Sequence, residues 1–112
     1  MNWIHLTDER QLEQIINNSK ERPQVIFKHS TRCSISGVAL QRLQRADKPA
    51  EVDFYFLDLI SYRNISTKVA QLFKVQHESP QVLVIRDGQS VYDESHLGIS
   101  MNEIVEHAAN VA

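Results

Sequence analysis

The chain has 112 residues and a single cysteine, Cys33. The cysteine lies in the segment 23–37, where an apolar, β-forming run leads through a short polar turn into a predicted helix. A lone thiol cannot form a disulfide within its own chain, so packing alone must hold this fold together. A chain of this length can bury a sufficient core. The cysteine is therefore not needed as a structural crosslink, and its chemistry becomes the first candidate for function.

The position of Cys33 favours a reactive thiol. The start of a helix carries unpaired backbone N–H groups and the positive end of the helix dipole, and both favour thiolate over thiol. We expect direct N–H···S contacts and the guanidinium of Arg32 to add to this effect. The neighbouring side chains are polar, which argues against burial; they are Ser30, Thr31, Arg32 and Ser34. The alternative is that Cys33 is a small buried hydrophobe, as many free cysteines are.

Composition and charge exclude several classes of protein. Hydrophobic residues make up 42% of the chain and charged residues 23%, which is typical of a soluble globular protein. The net charge is −2, so nothing indicates a nucleic-acid surface. The sequence contains no apolar run long enough to span a membrane, and its first residues do not resemble a signal peptide. We therefore expect a cytoplasmic protein whose cysteine stays reduced.

The hydrophobic pattern alternates between strands and helices. Three strand–helix alternations predict parallel pairing, and Asp87-Gly88 predicts a hairpin that adds an antiparallel strand. This indicates one α/β domain over residues 1–112, ordered βαβαβαββα, with a central mixed sheet flanked by helices. The predicted strands are 3–6, 24–29, 52–57, 81–86 and one around Val91; the predicted helices are 8–18 (capped by Thr7), 33–46, 62–73 and one from Ser100 towards Asn110.

The helix after the cysteine shows an apolar repeat. Side chains three or four positions apart share one face of a helix, so we expect this face to be buried. The residues of the repeat are Ile35, Val38, Ala39 and Leu43.

The whole pattern resembles the thioredoxin fold, with a cysteine opening the second helix and a proline opening the next-to-last strand. More narrowly, Phe27-Lys-His-Ser-Thr-Arg-Cys33-Ser-Ile-Ser36 and His77-Glu-Ser-Pro80-Gln81 resemble the monothiol bacilliredoxin family. Members of that family are thioredoxin-like and are associated with the low-molecular-weight thiol bacillithiol. Their turn usually reads Thr-Cys-Pro-Ile-Ser, whereas Arg32 and Ser34 replace the threonine and the proline here.

The resemblance implies a set of site residues. Cys33 would be the nucleophile, and Pro80 would be a cis proline beside it that lets the Ser79 backbone pair with an extended substrate. Arg32, Lys28 and His29 would attract an anionic ligand, such as the malate moiety of bacillithiol. The predicted substrate-binding residues are Thr31, Arg32, Ser34, Ser36, Ser79 and Pro80.

Ser36 occupies the position of the second cysteine in a dithiol Cys-x-x-Cys site. A hydroxyl cannot form a disulfide, so a mixed disulfide at Cys33 must be resolved by an external thiol. A simpler interpretation is that Ser34 and Ser36 satisfy N–H groups of the first helical turn. The two interpretations are compatible.

These observations predict a monothiol thiol–disulfide oxidoreductase that acts on mixed disulfides between proteins and a small thiol. Its partners would be S-thiolated proteins and that thiol, with no nucleic acid, no membrane and no resident cofactor, and it would be a monomer or a weak dimer. The five histidines show no metal-binding spacing, and we expect no metal. Two alternatives remain open: a glutaredoxin-like protein that uses glutathione or an iron–sulfur cluster, and a non-catalytic thioredoxin-like adaptor.

Overall fold

A five-stranded sheet with strand order β1-β3-β2-β4-β5 organises the computed structural model, which describes residues 1–109. Helices cover both faces of this sheet, and the α/β thioredoxin-like architecture predicted from the sequence is confirmed. The elements are β1 (Ile4–His5), α1 (Gln11–Asn18), β2 (Gln24–His29), α2 (Ser34–Arg45), β3 (Asp53–Asp58), α3 (Arg63–Phe73), β4 (Gln81–Arg86), β5 (Gln89–Ser95), a 3₁₀ turn (His96–Gly98) and α4 (Met101–Ala109).

The sheet is mixed, as the sequence predicts, but the parallel pairing expected from the third strand–helix alternation is wrong, because β4 runs antiparallel to β2. β2 lies at its centre, parallel to β3 and antiparallel to β4, while β1 pairs parallel to β3. β4 and β5 form the predicted hairpin, in which Arg86 pairs with Gln89. The turn between them places Asp87 and Gly88 at φ of 51° and 76°, a left-handed conformation that glycine and aspartate tolerate best.

Two hydrophobic clusters lie on opposite faces of the sheet. Alternate residues of β2 point to opposite faces, so Val25 and Phe27 pack under α2 and α4 while Ile26 packs under α1 and α3. All six residues of β2 are buried. The continuous apolar run at the centre of this strand therefore reflects coverage of the sheet by helices on both faces.

The ends of two helices differ from the prediction or extend beyond the described residues. Thr7 does not cap α1, which begins at Gln11; the Gln11 side chain instead accepts hydrogen bonds from the N–H groups of Thr7 (2.8 Å) and Asp8 (3.0 Å). At the start of α4, the Ser100 hydroxyl accepts the N–H of Glu103 at 3.3 Å, which is the N-cap hydrogen bond of a Ser-x-x-Glu capping sequence. The predicted end of this helix at Asn110 lies outside the described residues.

The predicted buried face of α2 is partly wrong. Ala39 and Leu43 are buried, but Ile35 and Val38 are 38% and 43% exposed. The buried stripe begins instead at Ser36, which has no exposed surface. A polar residue occupies the inward position because its hydroxyl finds partners there, which turns the two apolar side chains towards solvent.

Lys28 is the unexpected residue of the central strand, because none of its surface is exposed. It lies on the α3 side of the sheet, with its Nζ 3.2 Å from Nδ1 of His77. Burial lowers the pKa of Lys28 from 10.5 to about 8. Among residues 1–109 no carboxylate forms an ion pair with it. Charge burial without a counter-ion opposes folding.

Replacing this lysine by an apolar side chain of similar length is expected to stabilise the protein. Near neutral pH, Lys28→Met should raise the free energy of unfolding by about 1–4 kcal/mol in a buffer free of carboxylates and phosphate. The lysine pKa is 10.5 in the unfolded chain and about 8 in the folded chain. As the pH rises from about 8 to 10.5, the free energy of unfolding of wild type therefore rises, and the stability advantage of Lys28→Met over wild type shrinks. Urea unfolding at several pH values measures both effects.

Lys68→Met is the matched control, because Lys68 is exposed on α3. It should change the free energy of unfolding by less than about 0.5 kcal/mol. A lower stability of Lys28→Met near neutral pH would contradict the conclusion that the buried ammonium opposes folding.

Candidate active site

Three connections meet at one edge of the sheet. His29, the last residue of β2, pairs with Asp58 at the end of β3, and Lys28 pairs with Gln81 at the start of β4. The N–H of Leu59 donates to the carbonyl of His29 at 3.1 Å. The cysteine turn, the loop after β3 and the segment that leads into β4 therefore lie at the same edge.

Cys33 is the N-cap residue of α2 and is partly exposed. Its backbone is extended (φ −114°, ψ 119°); its N–H donates to the Ser30 carbonyl, and its carbonyl accepts the N–H of Gly37, both at 3.2 Å. The Cys33 side chain makes no capping hydrogen bond. The direct N–H···S contacts expected from the sequence are therefore not formed at the start of α2, and the position of Cys33 at the positive end of the helix dipole is what the structure retains of that expectation.

A buried hydroxyl connects the cysteine turn to the helix behind it. Ser36 Oγ accepts the N–H of Ser30 at 3.0 Å and lies 2.7 Å from His29 Nδ1. Burial is the main cause that lowers the pKa of His29, so the neutral imidazole is favoured. The Ser36 O–H can donate to Nδ1 while its oxygen accepts the Ser30 N–H, and we assign this arrangement, with the ring proton of His29 on Nε2.

Aromatic rings surround the His29 imidazole beneath the turn. Its ring centroid lies 5.4 Å from that of Phe56 and 5.9 Å from that of Phe27. Trp3 stacks on Phe27 at 5.7 Å. The Ser36–His29 hydrogen bond is thus shielded from water, which makes its loss more costly than that of an exposed hydrogen bond.

The predicted substrate-binding residues occupy different environments. Thr31, Arg32 and Ser34 are exposed around Cys33. The Ser79–Pro80 peptide bond is cis, and Pro80 is buried. Ser79 Oγ is buried and has no hydrogen-bond partner among residues 1–109.

Two sequence-based expectations about this site need correction. Ser36 does not face the surface around the sulfur, because its hydroxyl is fully buried and bonded to Ser30 and His29. Lys28 and His29 are also buried, with Lys28 on the opposite face of the sheet, so they cannot meet an anion beside Cys33 as expected. Arg32 is the member of that predicted group that remains exposed.

Metal-binding and membrane-spanning features were sought throughout the part of the chain that the structure describes. Within it, no three His, Cys, Asp or Glu side chains are grouped so that they could hold a metal ion. The helices of residues 1–109 are all too short or too polar to cross a membrane.

Comparison with known proteins places this geometry in a family. The family model described as monothiol bacilliredoxin BrxC matches residues 4–104. The chain belongs to the monothiol bacilliredoxin family. A bacilliredoxin of this kind is a thiol–disulfide oxidoreductase, and its partners are thiol-bearing proteins.

Solved structures agree on the fold. A structure assigned as an oxidoreductase with a thioredoxin fold is 28% identical over 93% of this chain and 91% of its own, with a TM-score of 0.81. The thioredoxin of Fasciola hepatica is 22% identical over 92% and 97% of the two chains, with a TM-score of 0.72. The thioredoxin of Malassezia sympodialis is 20% identical over 96% and 92%, also with a TM-score of 0.72.

Within this bacilliredoxin, exposed apolar side chains accompany the cysteine. Ile35 and Val38 follow Cys33 on α2 and are more than a third exposed. They extend the surface around the sulfur with hydrophobic area, which a protein partner can cover. Sequence reasoning missed this surface because it assigned both residues to the core.

The Ser36 hydrogen bonds predict a difference between two neighbouring serines. Ser36→Ala leaves the Ser30 N–H and His29 Nδ1 without a partner, and should lower the free energy of unfolding by about 1–3 kcal/mol. Ser34→Ala, a change to an exposed side chain on the same helical turn, should stay within about 0.5 kcal/mol of wild type. Urea unfolding of both variants measures the difference. Equal stability of the two variants would show that the buried hydroxyl does not hold the turn.

Proposed function

We propose that this bacilliredoxin removes bacillithiol from proteins, with the Cys33 thiolate as nucleophile. The observation that carries the proposal is the combination of one partly exposed sulfur at the start of α2 with a buried hydroxyl at position 36. That arrangement supports a first exchange step at Cys33. It also supports resolution by a thiol from outside, because the chain has no second cysteine.

The proposed reaction has two balanced exchange steps. The Cys33 thiolate attacks the bacillithiol sulfur of a protein–bacillithiol disulfide, and the protein cysteine leaves as a thiolate. Cys33 then carries bacillithiol in a mixed disulfide. A second thiol, as its thiolate, attacks that disulfide, forms a new disulfide with bacillithiol and releases the Cys33 thiolate.

Substrate recognition is proposed to involve the residues around the sulfur. Arg32 is exposed and carries the positive charge that suits the carboxylates of the malate moiety of bacillithiol. Thr31 and Ser34 would contribute polar contacts beside it. The Ser79 backbone, ahead of Pro80, would pair with the extended substrate.

Ser36 receives a positioning role in this proposal. It would hold the turn that presents Cys33, through its bonds to Ser30 and His29, rather than touch the substrate. The protein would work in the cytoplasm as a monomer or weak dimer, with bacillithiol as co-substrate and no resident cofactor. S-thiolated proteins would be its partners.

The central test uses a model protein that carries bacillithiol on one cysteine. Incubation with wild type should move bacillithiol onto Cys33, and intact-mass spectrometry should show the adduct on the bacilliredoxin and its loss from the model protein. Cys33→Ala should leave the model protein modified. If wild type and Cys33→Ala behave alike, the proposed nucleophile is wrong.

A parallel reaction with the same model protein carrying glutathione tests the identity of the small thiol. We expect faster transfer from the bacillithiolated protein, because malate holds its two carboxylates on adjacent carbons where Arg32 can contact both, whereas the two carboxylates of glutathione lie at opposite ends of the molecule. Arg32→Gln should reduce this preference. Equal rates with both modifications would contradict a dedicated bacillithiol activity.

Position 36 also allows a gain-of-function prediction. In Ser36→Cys, the new thiol should attack the capped Cys33, form an internal disulfide with it and release bacillithiol, so the adduct should not accumulate. Ser34→Cys is a matched control, in which the adduct should persist because directly adjacent cysteines are too close to pair without strain. Intact-mass spectrometry distinguishes the adduct from the internal disulfide. Persistence of the adduct in Ser36→Cys would show that position 36 cannot reach the sulfur.

A further inference from the structure

A cleft lies beside α3, on the face of the sheet opposite to the one covered by α2. It has a volume of about 360 Å³. Its walls combine the apolar side chains of Leu59 and Ala70 with polar groups from Arg63, Ser66, Thr67 and His77. This size and this mixture of apolar walls and a few polar groups are typical of sites for small molecules.

The hydrogen bonds of His77 determine what it offers to the cleft. The Lys28 ammonium can only donate, so His77 Nδ1, 3.2 Å away, must accept a hydrogen bond from it. Ser66 Oγ also lies near Nδ1, at 3.4 Å. The ring proton is therefore on Nε2. His77 lines the cleft as a neutral imidazole whose N–H is available for an acceptor.

The charges around this histidine are predominantly positive. Lys28 is fully buried behind the ring and forms no ion pair with a carboxylate among residues 1–109. Arg63 lies in the wall of the cleft and is exposed. The nearby carboxylate of Glu78 acts on His77 with the opposite sign, but less strongly than Lys28, and its Oε1 lies 3.5 Å from Nε2 of His96. A buried cation without a counter-ion is unfavourable, and an anion in the cleft would relieve this.

The hydrogen bond from Lys28 to His77 strengthens the His77 Nε2–H group as a donor towards the cleft. A positive charge that donates to Nδ1 polarises the ring and makes Nε2–H a better donor. The Arg63 guanidinium adds a planar set of N–H donors that matches a carboxylate. Leu59 and Ala70 supply surface for a short carbon chain.

We propose that this cleft binds a small carboxylate-bearing molecule, held by Arg63 and by His77 Nε2–H with the charge of Lys28 behind the ring. Arg63, Ser66 and Ala70 place the cleft beside α3, whereas Cys33 opens α2 on the other face of the sheet; Leu59 and His77 belong to connections at the same edge as the cysteine turn. The proposal does not depend on the thiol chemistry proposed above. It assigns a role to a buried lysine that the exchange reaction does not use.

The test is an NMR titration of the full, reduced chain with succinate. Saturable chemical-shift changes should be concentrated at the backbone amides of Leu59, Arg63, Ser66, Thr67 and His77. Lys28→Met and Arg63→Gln should each raise the Kd about tenfold, or about 1.4 kcal/mol. Arg63 is exposed, so Arg63→Gln tests the charge at the mouth of the cleft without changing the buried interior.

Lys68→Gln is the matched control. It removes one positive charge from the exposed part of the same helix, but Lys68 does not line the cleft, so its Kd should equal that of wild type. Succinamide, which lacks the charge, should not bind. The proposal is overturned if succinate shows no saturable binding, if Lys68→Gln weakens binding as much as Arg63→Gln, or if succinamide or inorganic phosphate binds as tightly as succinate.

Discussion

The complete burial of β2 is the constraint on which both halves of this structure depend. A strand covered on both faces must place successive side chains in two different interiors, because neighbouring residues point to opposite sides. At the end of β2 the two residues concerned are Lys28 and His29. One enters the α3 face and the other enters the α2 face, and each must find a polar partner there. His77 and Ser36 are those partners.

On the α2 face, the partner of His29 explains why a serine suits the position that holds sulfur in dithiol relatives of this fold. A hydroxyl can accept the Ser30 amide and donate to the imidazole at the same time. A thiol makes weaker hydrogen bonds in both directions. Ser36 therefore has two effects: it leaves the chain without a second thiol that could resolve a mixed disulfide at Cys33, and it connects the cysteine turn to the core. Monothiol chemistry and local stability depend on the same side chain.

Periodicity and turn residues were sufficient for the order of the elements. The βαβαβαββα order and the hairpin at Asp87-Gly88 follow from local patterns, but the antiparallel pairing of β4 with β2 does not, because strand–helix alternation alone predicts parallel pairing there. The position of Cys33 at the start of α2 was likewise readable, because a polar turn between an apolar strand and a helical repeat is a local signal. The cis bond before Pro80 came from family resemblance, since the local sequence alone does not favour it.

The inward and outward directions of individual side chains were less predictable. Ile35 and Val38 were assigned to the core because apolar residues are usually buried, yet the buried side of α2 is set by the partners of Ser36. Lys28 and His29 were expected to be surface cations beside the sulfur, because charged and polar side chains are usually exposed. Their burial depends on contacts with residues far along the chain, His77 above all, and no local pattern reports such contacts.

The exposed side chains that follow Cys33 bear on the central difficulty of monothiol chemistry. Under the proposed mechanism, attack on the protein sulfur instead of the bacillithiol sulfur would trap the substrate protein on Cys33, and the chain has no second thiol to release it. The choice between the two sulfurs must therefore be made as the substrate binds. Ile35 and Val38 offer apolar contact on α2, whereas Arg32 offers charge before the sulfur. A substrate protein on the apolar side and the anionic thiol on the charged side would present the correct sulfur to Cys33.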